Sequence, residues 1–273
     1  MNECSQYKYI HNSKLRDTHK FKDEFFRNGL SLYEVIRVVN SKPVFLKEHL
    51  TRLESSSKKV GQFVWLNYIE LVEKIKLLIC SNGVEEGNIK IVFNIHENNR
   101  NFYCYFVHHT YPTKQEYQEG VSTIVYNAER RNPNAKVYNH KLRTYTNTVI
   151  ESPDVFEVIL MDNRGNITEG SRSNLFFIKD NMLVTAPDNQ VLNGIVRAKI
   201  IEICERVGVP VLKETITFSS LSKYDSAFLT GTSPQILPIR NINALSFDVN
   251  HHLLKFLLKS YRGELADYIQ QQT

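Results

Sequence analysis

The sequence predicts an α+β fold with two domains. Segment 30–39 is rich in β-branched and aromatic residues, which is typical of a core strand. Segment 45–60 carries leucines at helical spacing, which is typical of an amphipathic helix. Two helices and several strands before position 130 predict a small N-terminal domain, 1–130. The remaining residues, 131–273, are expected to form a larger C-terminal domain.

The elements of the first domain follow from apolar periodicity and turn residues. Leu46, Leu50 and Leu53 line one side of the first helix. A second helix at 68–80 ends at Asn-Gly, a typical helix C-cap. A polar loop at 97–100 joins two strands as a hairpin. The predicted strands are 7–11, 30–39, 89–95, 102–108 and 121–127, followed by a connector at 129–134.

The second domain is predicted to open with a helix headed by Lys141. Leu142, Tyr145 and Val149 recur at helical spacing. The helix is expected to end at the Ser-Pro pair, 152–153, because proline disfavours helical geometry in the preceding residue. The other predicted elements are strands at 155–161, 173–178, 182–185 and 227–229, a turn at 162–165, and helices at 195–207 and 253–269.

Composition excludes several protein classes. The chain has 273 residues, of which 42% are hydrophobic, and its net charge of +5 indicates no particular partner. Four dispersed cysteines without a Cys-x-x-Cys pair favour reduced thiols over a zinc ribbon or a disulfide framework. No two histidines stand four residues apart, so no metal is assigned. The polar N-terminus and the lack of a run of about 18 apolar residues lead us to expect a cytoplasmic protein.

Lys141 and Glu169 are connected by the predicted helix, strand and turn. A lysine amine can condense with an aldehyde, and a pyridine ring that acts as an electron sink needs a carboxylate at its nitrogen. The two residues therefore suit an enzyme that holds a carbonyl cofactor. Taken alone, they also fit a solvated helix lysine and an ordinary Glu-Gly turn.

Further motifs follow one another in order along the chain. They are Gly-Leu-Ser-Leu-Tyr-Glu-Val-Ile-Arg at 29–37, Glu-His-Leu-Thr-Arg-Leu at 48–53, Lys-x-x-x-Tyr at 141–145, Thr-Glu-Gly-Ser-x-Ser-Asn-Leu-Phe at 168–176, Leu-x-Gly-Ile-Val-Arg at 192–197 and Phe-Leu-Thr-Gly-Thr-Ser-Pro-Gln-Ile-Leu-Pro-Ile at 228–239. Together they resemble the class IV pyridoxal-phosphate aminotransferases, a group of branched-chain aminotransferases, D-amino-acid aminotransferases and aminodeoxychorismate lyases. The resemblance implies the two-domain fold type IV, in which the larger domain has a mixed, barrel-like β-sheet core.

The resemblance also implies how pyridoxal 5′-phosphate is bound. Lys141 would hold it as a Schiff base and move the substrate proton, while Tyr145 would hydrogen-bond its phenolic oxygen. Glu169 would keep its ring nitrogen protonated. Arg52 would bind its phosphate, since a guanidinium donates two parallel charge-assisted hydrogen bonds.

The remaining implied contacts come from backbone amides and hydroxyl groups. Ile195 and Val196, at the start of a predicted helix, would give main-chain contacts to the phosphate. Thr232 would touch the phosphate as well, and the amides of Thr232 and Ser233 would receive the substrate α-carboxylate.

The substrate candidates lie on two predicted strands. The resemblance places Tyr33 and Arg37 at the substrate pocket, although alternating strand faces account for them equally well. Lys90 stands where branched-chain enzymes often have an arginine, so it is a candidate for binding a substrate's side-chain carboxylate.

The sequence therefore predicts an aminotransferase that moves an amino group between an amino acid, such as a branched-chain one, and a 2-oxo acid. A lyase that forms 4-aminobenzoate and pyruvate on the same cofactor is the first alternative. The second is a non-catalytic protein that binds nucleic acid through basic and aromatic residues at 130–143. That cluster is short, and a connector leading into an anionic cofactor site explains it better. Family members are usually homodimers, and we expect one here.

Overall fold

The computed structural model describes residues 3–22, 28–150 and 154–272. The chain divides into two compact units. The first contains Met1–Thr110, Ala135–Tyr138 and Leu265–Thr273, and the second contains Tyr111–Asn134 and Asn139–Glu264. The sequence predicts a single domain boundary near 130. The observed division instead falls after Thr110, and two later segments return to the first unit.

The first unit is built on a six-stranded antiparallel sheet in the order β2-β1-β6-β5-β3-β4. The order follows from hairpins, because β3 and β4, and likewise β5 and β6, are joined by tight turns. Asn40 and Ser41 have positive φ angles of 50° and 60° in the first of these turns. The strands are β1 Lys8–His11, β2 Lys14–Asp17, β3 Leu30–Val39, β4 Lys42–Pro43, β5 Gly87–His96 and β6 Asn99–Val107.

Two helices cover one face of this sheet. They are α1, Leu46–Lys59, and α2, Tyr68–Asn82. Asn67 and Glu70 form a capping box at the start of α2, and Gly83 ends it with a φ of 60°, which confirms the predicted C-cap. The core between helices and sheet contains Leu32, Ile36, Val38, Leu50, Leu53, Ile75, Leu78, Ile89, Ile91, Phe93 and Phe106.

The opposite face of the sheet is aromatic. Because side chains alternate along a strand, the register that pairs Tyr33 with Val92 puts both on the face away from α1 and α2. Tyr103 and Tyr105 of β6 belong to the same buried cluster. This face therefore buries several tyrosine rings together.

The second unit contains a ten-stranded mixed sheet in the order β12-β11-β10-β14-β15-β7-β8-β9-β13, with β16 paired to β15. The pairs β7–β8, β7–β15 and β11–β12 are parallel. Its strands are β7 Val121–Asn127, β8 Glu157–Met161, β9 Asn166–Gly170, β10 Asn174–Lys179, β11 Met182–Thr185, β12 Val211–Lys213, β13 Ile216–Thr217, β14 Ser226–Gly231, β15 Gln235–Ile242 and β16 Leu245–Ser246.

Four further helices accompany this sheet. They are α3 Lys114–Glu119, α4 His140–Ile150, α5 Ile195–Val207 and α6 His252–Gln271. The predicted end of α4 at 152–153 lies outside the described residues. None of the helices described is long and apolar enough to cross a bilayer.

Candidate active site

Three predicted substrate residues share the aromatic face of the first sheet. Tyr33 and Arg37 both lie on β3, with Val35 midway between them. Lys90, on the neighbouring strand β5, is paired with Val35. The two-residue period of a strand puts all three side chains on one side. Tyr33 and Lys90 are buried, at 6% and 3% exposure, whereas Arg37 is half-buried.

Residues 136–138 run beside β3 and add a lysine to this face. The Tyr33 amide donates to the Lys136 carbonyl over 3.1 Å, and the Tyr138 amide donates to the Ser31 carbonyl over 2.8 Å. The Lys136 amide donates to Ser56 Oγ of α1 over 3.1 Å. The Lys136 Nζ lies 4.8 Å from the centroid of the Tyr33 ring. The amine of Lys136 therefore stands on the same face as the predicted substrate residues.

Sequence reasoning passed over Lys136, although a signal was present. Ala135 is buried and Val137 packs against the core, while Lys136 and Tyr138 alternate with them. Such alternation is typical of a short strand.

Arg52 is held by a buried carboxylate and an imidazole. Its Nε donates to Glu34 Oε1 over 2.7 Å, and its Nη2 donates to Glu34 Oε2 over 2.6 Å. The Nδ1 of His49, one turn earlier on α1, lies 2.8 Å from Glu34 Oε2. Glu34 is fully buried, so these contacts fix the orientation of the guanidinium.

The charges of this cluster follow from its geometry. Burial by itself would raise the pKa of the Glu34 carboxyl, but the charge and hydrogen bonds of Arg52, with the hydrogen bond from His49, lower that pKa to about 2. Burial also lowers the pKa of His49, against the opposing effect of Glu34. At neutral pH, Glu34 is therefore an anion, and His49 is a neutral ring that donates through Nδ1.

Glu169 lies at the end of β9 in the second unit and is buried. Its Oε2 accepts from Asn174 Nδ2 over 3.0 Å and from the Leu192 amide over 3.1 Å. The Nε of Arg130 lies 3.1 Å from Glu169 Oε1, and the Nη2 of Arg130 donates to the Ser171 carbonyl over 2.7 Å. Arg130 belonged to the basic cluster of the sequence analysis, and here it serves as a counter-charge within the protein.

The turn after Glu169 is organised by a second buried carboxylate, Glu157 on β8. It accepts from Ser171 Oγ over 2.7 Å, Ser173 Oγ over 3.0 Å and the Arg172 amide over 3.2 Å. A Cβ at position 170 would collide with Ser173 Oγ, which explains why a glycine stands between Glu169 and Ser171.

Ile195 and Val196 are the first two residues of α5, as predicted. Gly194 is the N-cap, and no side chain caps the first amides of the helix. Those amides point along the helix axis and carry partial positive charge, so they can bind an anion. Arg197 is buried and pairs with Asp188 over 2.7 Å, which is a structural role.

Thr232 and Ser233 lie in the turn that joins β14 to β15, where Gly231 pairs with Gln235. Both are half-buried. The predicted strand at 227–229 is thus longer than expected, since β14 spans Ser226–Gly231 and continues through this turn into β15.

Lys141 and Tyr145 lie on α4 in the second unit. Lys141 is exposed, and in the part of the chain that the structure describes its side chain forms no hydrogen bond, ion pair or ring contact. Tyr145 is 43% exposed and stacks on Tyr126 with the ring centroids 4.0 Å apart. The structure therefore does not join Lys141 to Glu169 or to Tyr145.

Comparison with known proteins identifies the family. A sequence profile described as "Amino-transferase class IV" matches residues 31–242. The chain belongs to the class IV aminotransferase family. The D-alanine aminotransferase of Bacillus licheniformis is 28% identical over 233 residues, which cover 81% of this chain and 82% of that protein.

Two solved structures share the fold of this class IV aminotransferase. The branched-chain aminotransferase of the archaeon Thermoproteus uzoniensis, solved with norvaline, superposes with a TM-score of 0.84 at 23% identity, covering 97% of this chain and 98% of its own. The 4-amino-4-deoxychorismate lyase of Pseudomonas aeruginosa gives 0.80 at 18% identity, covering 94% of this chain and 99% of its own. The predicted two-domain α+β fold of type IV is therefore confirmed.

Proposed function

We propose that this class IV enzyme uses pyridoxal 5′-phosphate to move an amino group between an amino acid and a 2-oxo acid. When bound, the cofactor supplies an aldehyde that condenses with amines and a ring that accepts the electron pair of the substrate α-carbon. The observation that carries the proposal is the family match over residues 31–242. Both units also contain donor groups that suit the parts of this cofactor.

The second unit supplies donors for the ring and the phosphate. Glu169 is a buried carboxylate held by two donors, so it can keep the pyridine nitrogen protonated. The uncapped amides of Ile195 and Val196 suit a phosphate, as does the hydroxyl of Thr232. The hydroxyl of Tyr145 is assigned to the phenolic oxygen of the cofactor.

In the first unit, Arg52 is assigned to the cofactor phosphate. Glu34 receives both Nε and Nη2 of its guanidinium, which fixes the plane of the group before any ligand arrives. Such preorganisation reduces the entropy that binding would otherwise cost.

We assign the cofactor-binding amine to Lys136 in place of Lys141. Three observations support this choice. Lys136 stands on the face that carries Tyr33 and Lys90, its backbone is tied to β3 and to α1, and its Nζ packs against the Tyr33 ring. Lys141 is exposed on α4 and lacks comparable contacts among the described residues. After the amine is displaced by substrate, Lys136 would take and return the α-proton as general base and acid.

Substrate recognition is assigned to the residues that the sequence analysis selected. The Tyr33 ring borders the amine of Lys136, and Arg37 lies on the same face of β3. Lys90, whose charge is paired with Glu3, would border the substrate's side chain. The amides of Thr232 and Ser233 would bind the α-carboxylate. An amino acid with an apolar side chain, such as a branched-chain one, fits this set. We further propose a cytoplasmic homodimer, consistent with the four free cysteines.

The lyase remains a second candidate because of the structural match to 4-amino-4-deoxychorismate lyase. Pyruvate released from aminodeoxychorismate without any amino acceptor would select it. Amino transfer that requires a 2-oxo acid would select the aminotransferase.

The lysine assignment is tested by trapping. The protein loaded with cofactor is reduced with borohydride, which fixes the bond between lysine and cofactor, and the modified peptide is mapped by mass spectrometry. We expect the label on Lys136. The variant Lys136→Ala should lose the near-visible absorbance, and its kcat should fall about 100-fold or more. Lys141→Ala is the matched control and should keep both.

A label on Lys141 would reverse the assignment in favour of the original sequence hypothesis. A protein that takes up no label on any lysine would contradict the proposed function itself.

A further inference from the structure

Lys90 is a buried cation surrounded by tyrosines. Its side chain is 4% exposed. Its Nζ lies 4.6 Å from the ring centroid of Tyr138, 5.5 Å from that of Tyr33 and 5.9 Å from that of Tyr105. Aromatic faces stabilise an ammonium group, but a buried charge also needs an anion or strong hydrogen bonds.

The anion is supplied by Glu3, near the N-terminus. Its Oε1 lies 2.6 Å from Lys90 Nζ, and its Oε2 accepts from the Tyr105 hydroxyl over 2.8 Å. Burial raises the pKa of Tyr105, and the adjacent Glu3 charge adds to that shift, so the phenol remains a donor. Both carboxylate oxygens are thus engaged by the lysine and its tyrosine neighbour.

Glu3 is the outer member of this cluster. Its side chain is 34% exposed, against 4% for Lys90. The adjacent Cys4 forms an antiparallel backbone bridge with Val107, the last residue of β6, which anchors the segment beside the end of that strand. A ligand carboxylate that approached Lys90 would therefore have to replace Glu3 or lie beside it.

The ring of Tyr33 connects this cluster to the proposed reactive amine. Lys90 Nζ and Lys136 Nζ both contact that ring, at 5.5 Å and 4.8 Å from its centroid. On this shared ring we place the side chain of an amino acid that reacts at Lys136, next to Lys90 and Glu3.

We propose that Glu3 is a specificity-determining residue that neutralises Lys90 and so selects substrates with uncharged side chains. A side-chain carboxylate would meet a neutral pair and the like charge of Glu3, whereas an apolar side chain would contact the tyrosine rings. This inference rests on the proposed function and gives it a substrate class.

The test compares Glu3→Gln with the unchanged enzyme loaded with cofactor. Glutamine keeps one oxygen for the Tyr105 hydroxyl, removes the negative charge and turns an amide N–H group toward Lys90, so the charge of Lys90 is no longer balanced. The probes are glutamate and norvaline, each as the L and the D form. We expect the ratio of kcat/KM for glutamate over norvaline to rise about tenfold or more in the variant. Adding Lys90→Met to the variant should return the ratio to its starting value.

Glu86→Gln is the matched control, because Glu86 is exposed in the same unit and carries the same charge. It should leave the ratio unchanged. An enzyme that already prefers glutamate, or a Glu3→Gln ratio that stays the same, would overturn the proposal.

A binding measurement separates this inference from the proposed function. Glutarate and valerate are added to both proteins, and the thermal midpoint is recorded. Glutarate should raise the midpoint of Glu3→Gln more than valerate does, with no such difference in the unchanged protein. If no amino acid supports amino transfer, the proposed function fails, while the glutarate result still decides the role of Glu3.

Discussion

Replacing Glu34 by glutamine would remove the charge that orients Arg52. The carboxylate is fully buried and receives two hydrogen bonds from the guanidinium and one from His49. Loss of one partner leaves a buried guanidinium uncompensated, which costs about 3–5 kcal/mol. The pKa of Glu34, lowered on folding from 4.5 to about 2, independently implies about 3 kcal/mol. We therefore expect the free energy of unfolding to fall by about 3 kcal/mol at pH 7.

The stabilisation that Glu34 provides should depend on pH. Because folding lowers the pKa of Glu34, its contribution is complete above pH 4.5 and is lost as the pH falls towards 2. The gap in stability between the unchanged protein and Glu34→Gln should close over the same range. Urea unfolding followed by the fluorescence of Trp65 measures it, since this single tryptophan packs against Phe93 in the first unit.

The matched control is Glu54→Gln on α1, the helix that carries Arg52. Glu54 pairs with Lys58 at the surface, where its side chain is 62% exposed, so the cost should stay below about 0.5 kcal/mol. The reasoning would be refuted by a Glu34→Gln variant as stable as this control, or by a gap that is the same at pH 3 and pH 7.

Three further variants test the second unit. Gly194→Ala should lower the thermal midpoint and weaken cofactor binding, because the added Cβ would collide with Asn174, which donates to Glu169. Gly263→Ala should instead raise the free energy of unfolding by up to about 1 kcal/mol, because this glycine lies in the middle of α6 with open space where the Cβ would stand. Calorimetry that showed the same sign for both alanines would contradict this account. Glu157→Gln should lower the thermal midpoint by several degrees, since an amide would point a donor at groups that already donate, and an unchanged midpoint would show that the turn at 171–173 does not depend on that charge.

The elements whose residue composition is distinctive and whose ends are marked by turn or cap residues were predicted from the sequence. β3 and α5 have the predicted bounds, Leu30–Val39 and Ile195–Val207, because β-branched and aromatic residues mark the first and glycines flank the second. α3 was missed because it is six residues long and polar, although Thr113 and Glu116 form a capping box. β15 was missed because it contains Pro238, which argues against a strand.

The site was harder to predict than the fold. The family motifs selected Arg52 and Glu169, but a linear pattern does not reveal which carboxylate holds which cation. Glu34 lies next to Arg52 only because β3 and α1 pack together. Lys136 owes its position to a pairing between Val137 and Leu32, residues far apart in the sequence. Such nonlocal pairings have no local signature in the sequence. The cofactor-binding amine was therefore predicted at Lys141, which stands at the start of a clearly periodic helix.

The discontinuous path of the first unit has a consequence for biosynthesis. Residues 135–138 and 265–273 complete this unit, and the later segment is attached through a hydrogen bond from Lys42 Nζ to the Ile269 carbonyl and a ring contact between Phe45 and Tyr268. A ribosome that has released only the six-stranded sheet and its two helices has therefore not yet supplied the end of α6 that contacts Phe45. It has not yet supplied the segment 135–138 either, which carries Lys136. Nascent chains of this protein should thus remain open to proteases and chaperones until translation has passed α6.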